Sequence, residues 1–403
     1  MRKLEQQFSI RHSFPVYFSR NVLRVEDPLL AEVLLRGGKK IHKVLCFADS
    51  GVLAGYPTLG RRLEEYAKAH GEIMELCGPV IPVSGGEKCK SEQGVVENIL
   101  RLIQEHRLCR HSFVLAIGGG AVLDAVGYAT AVAHRGLRLI RMPTTVLGQN
   151  DVGVGVKNGI NAFGRKNFVG TFAPPFAVIN DFDFLDNLPP QELRAGMAEA
   201  VKVALIMDRR FFDSLFNQRS ELASFQRQPM EEMIIGCAGL HMQHIGTGGD
   251  PFETGSARPL DFGHWSAHKL EEITGGMVGH GEAVAIGIAL DSLYSRHLGM
   301  ITEEEHDRIM ALLTDLGLPV FHPALTALDI GGALSEFREH LGGEPAITLL
   351  TGIGGKKEVD RIDTALMERC IDELRQLAGV KNLSPVPEDR EATGPGALYG
   401  EVN

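Results

Sequence analysis

The chain has 403 residues, 44% hydrophobic and 23% charged, which excludes wholesale disorder and suits two domains, or three, at roughly 150 residues each. Lysine and arginine number 41 against 51 acidic residues, a net charge of −10, which argues against nucleic acid or an anionic membrane as the main partner. No run approaches the ~20 apolar residues of a membrane helix, no signal-peptide core opens the chain, and six scattered cysteines without a C-x-x-C pair predict reduced thiols in a cytoplasmic protein.

Short apolar runs alternate with helical patterns over the first ~180 residues, the signature of a parallel sheet in an α/β domain. KVLCFAD (43–49) reads as a strand ending at an aspartate, and 59–71 as an amphipathic helix. MELCGPVIPVSGGE (74–87) carries a strand and a glycine turn, and 95–108 a helix. SFVLAIGGG (112–120) is a buried strand running into glycines; 121–134 is a helix and 137–145 a strand. From about residue 190 the periodicity is helical in five long segments, several ending at glycine. A short strand is expected near 345–354, and the last residues are rich in Pro, Gly and charge. The expected division is an α/β domain at 1–185, a helical domain at 186–380 and a loose tail at 381–403.

Gly118, Gly119 and Gly120 lie between strand and helix, where backbone can approach a phosphate and a helix N-terminus offers free N–H groups. This is not G-x-G-x-x-G, and a tight turn explains the glycines as well. Asp49 suits a ribose hydroxyl or, equally, a helix N-cap.

Three segments carry charges in apolar surroundings. In 143–172, Asp151, Lys157, Asn161, Lys166 and Asn167 stand among glycines, and the alternation of Val152, Val154 and Val156 predicts a packed segment that delivers its lysine inward. Converging lysines and an aspartate suit an anionic, hydroxylated substrate. Glu199 and Lys202 are three apart on one helix face, and buried charges need partners or a metal. His264 and His268 are four apart, and His280 opens the next helix; Glu199, His264 and His280 make a His₂Glu set with an open position, as catalytic zinc sites have. His241 and His244 form a competing pair.

The ordered pieces GGG-x-x-x-D, PTT, D-x-G-x-G-x-K-x-G-I-N, G-x-K-N, AE-x-x-K, FGH-x-x-x-H and HGEAVAIG, over roughly 40–355, resemble dehydroquinate synthase and the other sugar phosphate cyclases. The resemblance implies an NAD-binding α/β domain with a parallel sheet, a mainly helical metal domain, an active site between them, and a homodimer. It implies NAD and a zinc or cobalt ion. Glu199, His264 and His280 would hold the metal. Asp49, Glu87, Lys90, Gly119, Gly120, Asp124, Thr144 and Thr145 would contact NAD. Asp151, Lys157, Lys166, Asn167, Lys202 and His268 would contact substrate, with Arg135 reaching the phosphate bound by the neighbouring subunit. The implied chemistry is transient oxidation of a ring hydroxyl, phosphate elimination, return of the hydride, ring opening and aldol closure. The metal would act as a Lewis acid, the lysines would stabilise charge and His268 would carry protons.

Dehydroquinate synthases hold a substrate carboxylate with R-x-x-x-N-F-G-H and a late lysine. Here the asparagine position is Asp261, the arginine position is Ala257 with Arg258 one residue later, and His340 is nearest to the late lysine. The lysine often found within LHMQHI is also missing. These departures resemble the branch that cyclises sedoheptulose 7-phosphate, which has no carboxylate, and imply a 2-epi-valiolone or 2-epi-5-epi-valiolone type of product. The alternatives are a 3-dehydroquinate synthase, a metal-dependent polyol dehydrogenase and a non-catalytic diverged relative.

Overall fold

A computed structural model of the chain describes residues 2–38, 40–92, 94–248, 250–252, 259–340 and 346–379, without the side chains of Pro259 and His340. Arg258 and the 381–403 tail lie outside the described residues, as does the His340 side chain.

The strands are β1 (Val16–Ser19), β2 (His42–Asp49), β3 (Met74–Leu76), β4 (Ile81–Val83), β5 (Phe113–Gly118), β6 (Arg138–Pro143), β7 (Lys157–Ala162), β8 (Arg165–Phe172), β9 (Ala177–Asp181), β10 (Ile347–Leu350) and β11 (Lys356–Val359). A seven-stranded parallel sheet runs β1-β9-β6-β5-β2-β3, with β4 also on β2. Apolar clusters cover both faces, so its central strands are buried throughout and read as continuous apolar runs. Two details differ from expectation. The 74–87 stretch is two short strands that occupy one edge of β2 in succession, because Gly78, at φ 124°, breaks the run between them. β1 is an edge strand that the sequence pattern does not announce, four half-buried residues pairing with β9.

β7 and β8 form a separate antiparallel hairpin. Beyond it the chain is mainly helical. Helices at Pro190–Met207, Arg227–Thr247, His264–Ile273, His280–His297 and Glu303–Asp315 pack around one large apolar cluster, and β10 pairs with β11. All six cysteines are free thiols. Among the described residues no helix is long and apolar enough to cross a membrane.

Close backbone contacts set the helix positions. A Cβ on Gly281 would lie 2.4 Å from the Ala195 backbone, and one on Gly287 would lie 2.0 Å from the Gly263 carbonyl oxygen. The His280–His297 helix therefore seats directly against the helix carrying Glu199 and the turn that precedes His264.

Candidate functional site

Glu199 lies on the inner face of the Pro190–Met207 helix and is fully buried. His264 opens one neighbouring helix and His280 the other. Their ligand atoms lie within 4.8 Å of one another. His264 Nε2 is 3.7 Å and His280 Nε2 is 3.6 Å from Glu199 Oε1. Each ring is oriented from behind: His264 Nδ1 sits 3.1 Å from the Phe262 carbonyl, and His280 Nδ1 3.2 Å from Glu271 Oε2. With Nδ1–H donated in both, the Nε2 atoms would present lone pairs toward Glu199, the orientation that metal-ligating imidazoles take. Without an ion, burial works to lower the His280 pKa, but Glu199 and Glu271 outweigh it and hold the ring protonated, its pKa raised to about 10. Lys202 Nζ lies against Glu199 Oε2, yet neither buried Glu199 oxygen completes a well-formed hydrogen bond. A buried carboxylate with unfilled acceptors between two imidazole lone pairs fits a divalent ion.

Electrostatics agree with this geometry. Burial works to raise the Glu199 pKa, but Lys202, His280 and His264 outweigh it and hold the group well below the ordinary carboxylate range. Burial works to lower Lys202, and Glu199 and Asp151 reverse that, so it stays charged. Asp261 is likewise ionised: burial opposes, but Lys157, His264, Lys202 and His268 pull its pKa down. His268 faces the open side, and its protein surround, with His264 and His280, pushes its pKa down, which keeps the imidazole neutral.

Two participants were not assigned from sequence. Glu271 joins His280 to Lys166, whose Nζ is 2.9 Å from its Oε1. His241 Nδ1 lies 2.7 Å from Asp151 Oδ1 and lowers that carboxyl against the effect of burial. In the sequence His241 and His244 are only the competing ligand pair; in the structure His241 lies against Asp151 and outside the candidate metal cluster. The only signal for Glu271 was its place seven residues after His264, on the same helix face.

The packed segment is present, with Val154 and Val156 buried, but Lys157 itself is exposed rather than turned into the core. β7 begins at this residue, and Lys157 acts on Asp261 across the opening.

The nucleotide-like residues gather at the ends of β2, β5 and β6. The Asp49 carboxylate caps the following helix, accepting from Gly51 N at 2.7 Å. A Cβ on Gly85 would come within 2.5 Å of that carboxylate, so a side chain at residue 85 would displace the Asp49 carboxylate. Gly119 and Gly120 start the next helix beside Thr145 and Val152, and the Thr144 hydroxyl is buried without a partner. Lys90 donates to Asp124 at 2.9 Å and also contacts Asn167. Asn161 donates to Glu87 at 2.9 Å. A glycine cradle, a helix N-terminus and an orphaned hydroxyl fit a dinucleotide. Arg135 stands apart, exposed on a loop where His134, Arg135 and Gly136 all have positive φ.

Residues 80–195 match the family model described as 3-dehydroquinate synthase N-terminal, and 196–337 match 3-dehydroquinate synthase C-terminal. The chain is 36% identical over 332 residues to a 2-epi-5-epi-valiolone synthase of Streptomyces glaucescens, covering 82% of this chain and 84% of the relative. It is 35% identical over 346 residues to a 3-dehydroquinate synthase of Acidithiobacillus ferrooxidans, covering 85% and 90%. A solved 2-epi-5-epi-valiolone synthase of Streptomyces hygroscopicus subsp. jinggangensis, with NAD+ and Zn2+ bound, superposes with a TM-score of 0.82 at 28% identity, covering 93% of this chain and all of that one.

Proposed function

The chain belongs to the 3-dehydroquinate synthase family of sugar phosphate cyclases, and within that family we propose that it cyclises sedoheptulose 7-phosphate to a valiolone-type cyclitol with loss of phosphate. The observation that carries the choice of substrate is Asp261. It is ionised and stands beside Lys157, Lys202 and His264. A carboxylate there repels a carboxylated heptulosonate and accepts hydrogen bonds from the hydroxyls of an uncharged sugar chain. Identity to relatives does not separate the two substrates, because it is 36% to one type and 35% to the other.

When bound, NAD supplies reversible hydride removal and a divalent ion supplies Lewis acidity toward neighbouring hydroxyls. Glu199, His264 and His280 hold the ion. Asp49, Glu87, Lys90, Gly119, Gly120, Asp124, Thr144 and Thr145 hold the dinucleotide. Lys157, Lys166 and Asn167 bind the phosphate end of the substrate, and Lys202 and Asp151 hold its hydroxyls. The neutral imidazole of His268 serves as the proton carrier. In the proposed homodimer a second copy places Arg135 on the phosphate.

The deciding experiment is phosphate release by purified protein supplied with NAD+ and Zn2+ or Co2+. Sedoheptulose 7-phosphate and the carboxylated heptulosonate phosphate are run side by side, with NMR of the product. Release from the first alone supports the proposal. Release from the second alone makes the chain a 3-dehydroquinate synthase, and net NADH accumulation with a simple polyol makes it a dehydrogenase.

A further inference from the structure

We propose that Glu271 is a positioning residue which orients His280 for the metal and is itself held by Lys166 of the β7–β8 hairpin, so that the hairpin reaches the metal site. The inference rests on the reading of Glu199, His264 and His280 as metal ligands.

Glu271 divides its carboxylate between two partners. Oε2 is 3.2 Å from His280 Nδ1, and Oε1 is 2.9 Å from Lys166 Nζ. The contact is to Nδ1, the nitrogen that points away from Glu199, so Glu271 does not compete to be a ligand. A histidine whose Nδ1–H is fixed by a carboxylate has its tautomer and ring plane set, and its Nε2 becomes more basic toward a metal. Among the described residues, His264 has a backbone carbonyl in that place, at 3.1 Å. His280 is therefore the ligand whose orientation depends on a side chain.

A surface ion pair would not have this form. The Glu271 side chain is only 8% exposed and both its oxygens are engaged, whereas Lys166 is half-exposed and comes from the other part of the chain. The residue after Lys166 turns the opposite way. Asn167 contacts Lys90, which holds Asp124 at 2.9 Å beside the glycine cradle. Asn167 keeps a φ of 53°, in the left-handed region, and its N–H is held by Asn161 Oδ1 at 2.8 Å. Two consecutive residues of β8 thus brace the two proposed cofactor sites from one hairpin, with Lys166 reaching toward the metal and Asn167 toward the nucleotide.

The test uses the full chain stripped of metal and titrated with Zn2+ against a chelating dye, then loaded with Co2+ for its visible spectrum. Glu271→Ala should weaken Zn2+ binding roughly 10- to 100-fold and shift the Co2+ bands. Glu271→Gln should recover part of both, because an amide oxygen still accepts from Nδ1–H. Lys166→Met, at a half-exposed position, should shift the Co2+ bands in the same direction by less. Adding it to Glu271→Ala should change nothing further, since Lys166 acts through Glu271. A Lys166→Met spectrum identical to that of the parent, or a double variant in which the two shifts add, overturns the role of the hairpin. Parent-like affinity and spectrum in Glu271→Ala overturn the whole inference while leaving the metal site standing. If the parent binds no ion more tightly than Glu199→Gln does, the metal reading itself has failed.

Discussion

Asp261 is the side chain on which the proposed choice of substrate rests. Its charge is sustained by Lys157, His264, Lys202 and His268 against the cost of burial. Replacing it by asparagine keeps the shape, removes the charge and leaves Lys157 and Lys202 without that counter-ion. A hydrogen bond to a charged group contributes ~1.5–3 kcal/mol, so Asp261→Asn should lower kcat/KM for sedoheptulose 7-phosphate by about one to two powers of ten. It should not produce robust turnover of the carboxylated heptulosonate phosphate, because position 257 is alanine and no compensating cation is introduced. Steady-state phosphate release with both substrates checks this; strong heptulosonate turnover by the variant would mean that charge at 261 alone sets the choice. Residue types singled out Glu199, His264 and His280 as a His₂Glu candidate, because a metal needs particular ligands, although the three come from separate helices that no periodicity joins. Glu271 escaped, and His241 was grouped with His244, because nothing in their spacing announces Lys166 or Asp151 as partners; only the fold brings those together.

At the scale of elements, the site depends on helices packed closer than ordinary side chains allow. Gly287 meets the Gly263 carbonyl at a distance no Cβ tolerates, and that contact is to backbone, which cannot swing aside. Gly287→Ala should therefore cost about 1–3 kcal/mol and displace the turn before His264, lowering both the melting temperature and the zinc retained after dialysis. A variant with the parent's Tm and zinc content would show that the helices can separate freely. Asp291 ties the same two elements, accepting from Trp265 Nε1 at 2.9 Å and from Gly263 N at 3.1 Å. Burial raises its pKa to about 7, despite those two donors. Between about pH 4 and 7 the native chain keeps a proton that the unfolded chain has released. Raising the pH across that window therefore favours unfolding, and this carboxyl's contribution is lowest above pH 7. Asp291→Asn does not titrate, so the Tm of the variant minus that of the parent should rise from pH 4 to 7 and then level off. Metal-free protein is the material to use, and a difference constant with pH would refute the assignment. The strands and helices themselves were mostly legible, since buried parallel strands and amphipathic helices have distinct periods. β1 was not, because four half-buried residues carry no period of their own.

Across the whole molecule, chemistry is assembled from segments far apart in the chain. The proposed nucleotide cradle lies where β2, β5 and β6 end, and the proposed metal ligands come from three helices beginning at Pro190, His264 and His280. This division was visible in the sequence as a change from alternating strands and helices to helices alone. The way the β7–β8 hairpin bridges it was not, because Lys166 and Asn167 are neighbours in sequence that contact opposite sides. Neither site exists in the unfolded chain, so each ligand should stabilise the native state by mass action, about 2.7 kcal/mol at one hundred times its Kd. Zn2+ and NAD+ should each raise Tm by a few degrees, and both together by more than either alone. A chelator should remove only the zinc increment. Glu199→Gln should lose the zinc increment and keep that of NAD+, because Glu199 touches the metal cluster and not the cradle. Thermal scans of parent and variant with each ligand decide it: loss of both increments in Glu199→Gln would mean that the two sites fold as one unit, and a zinc increment that survives would place the metal elsewhere.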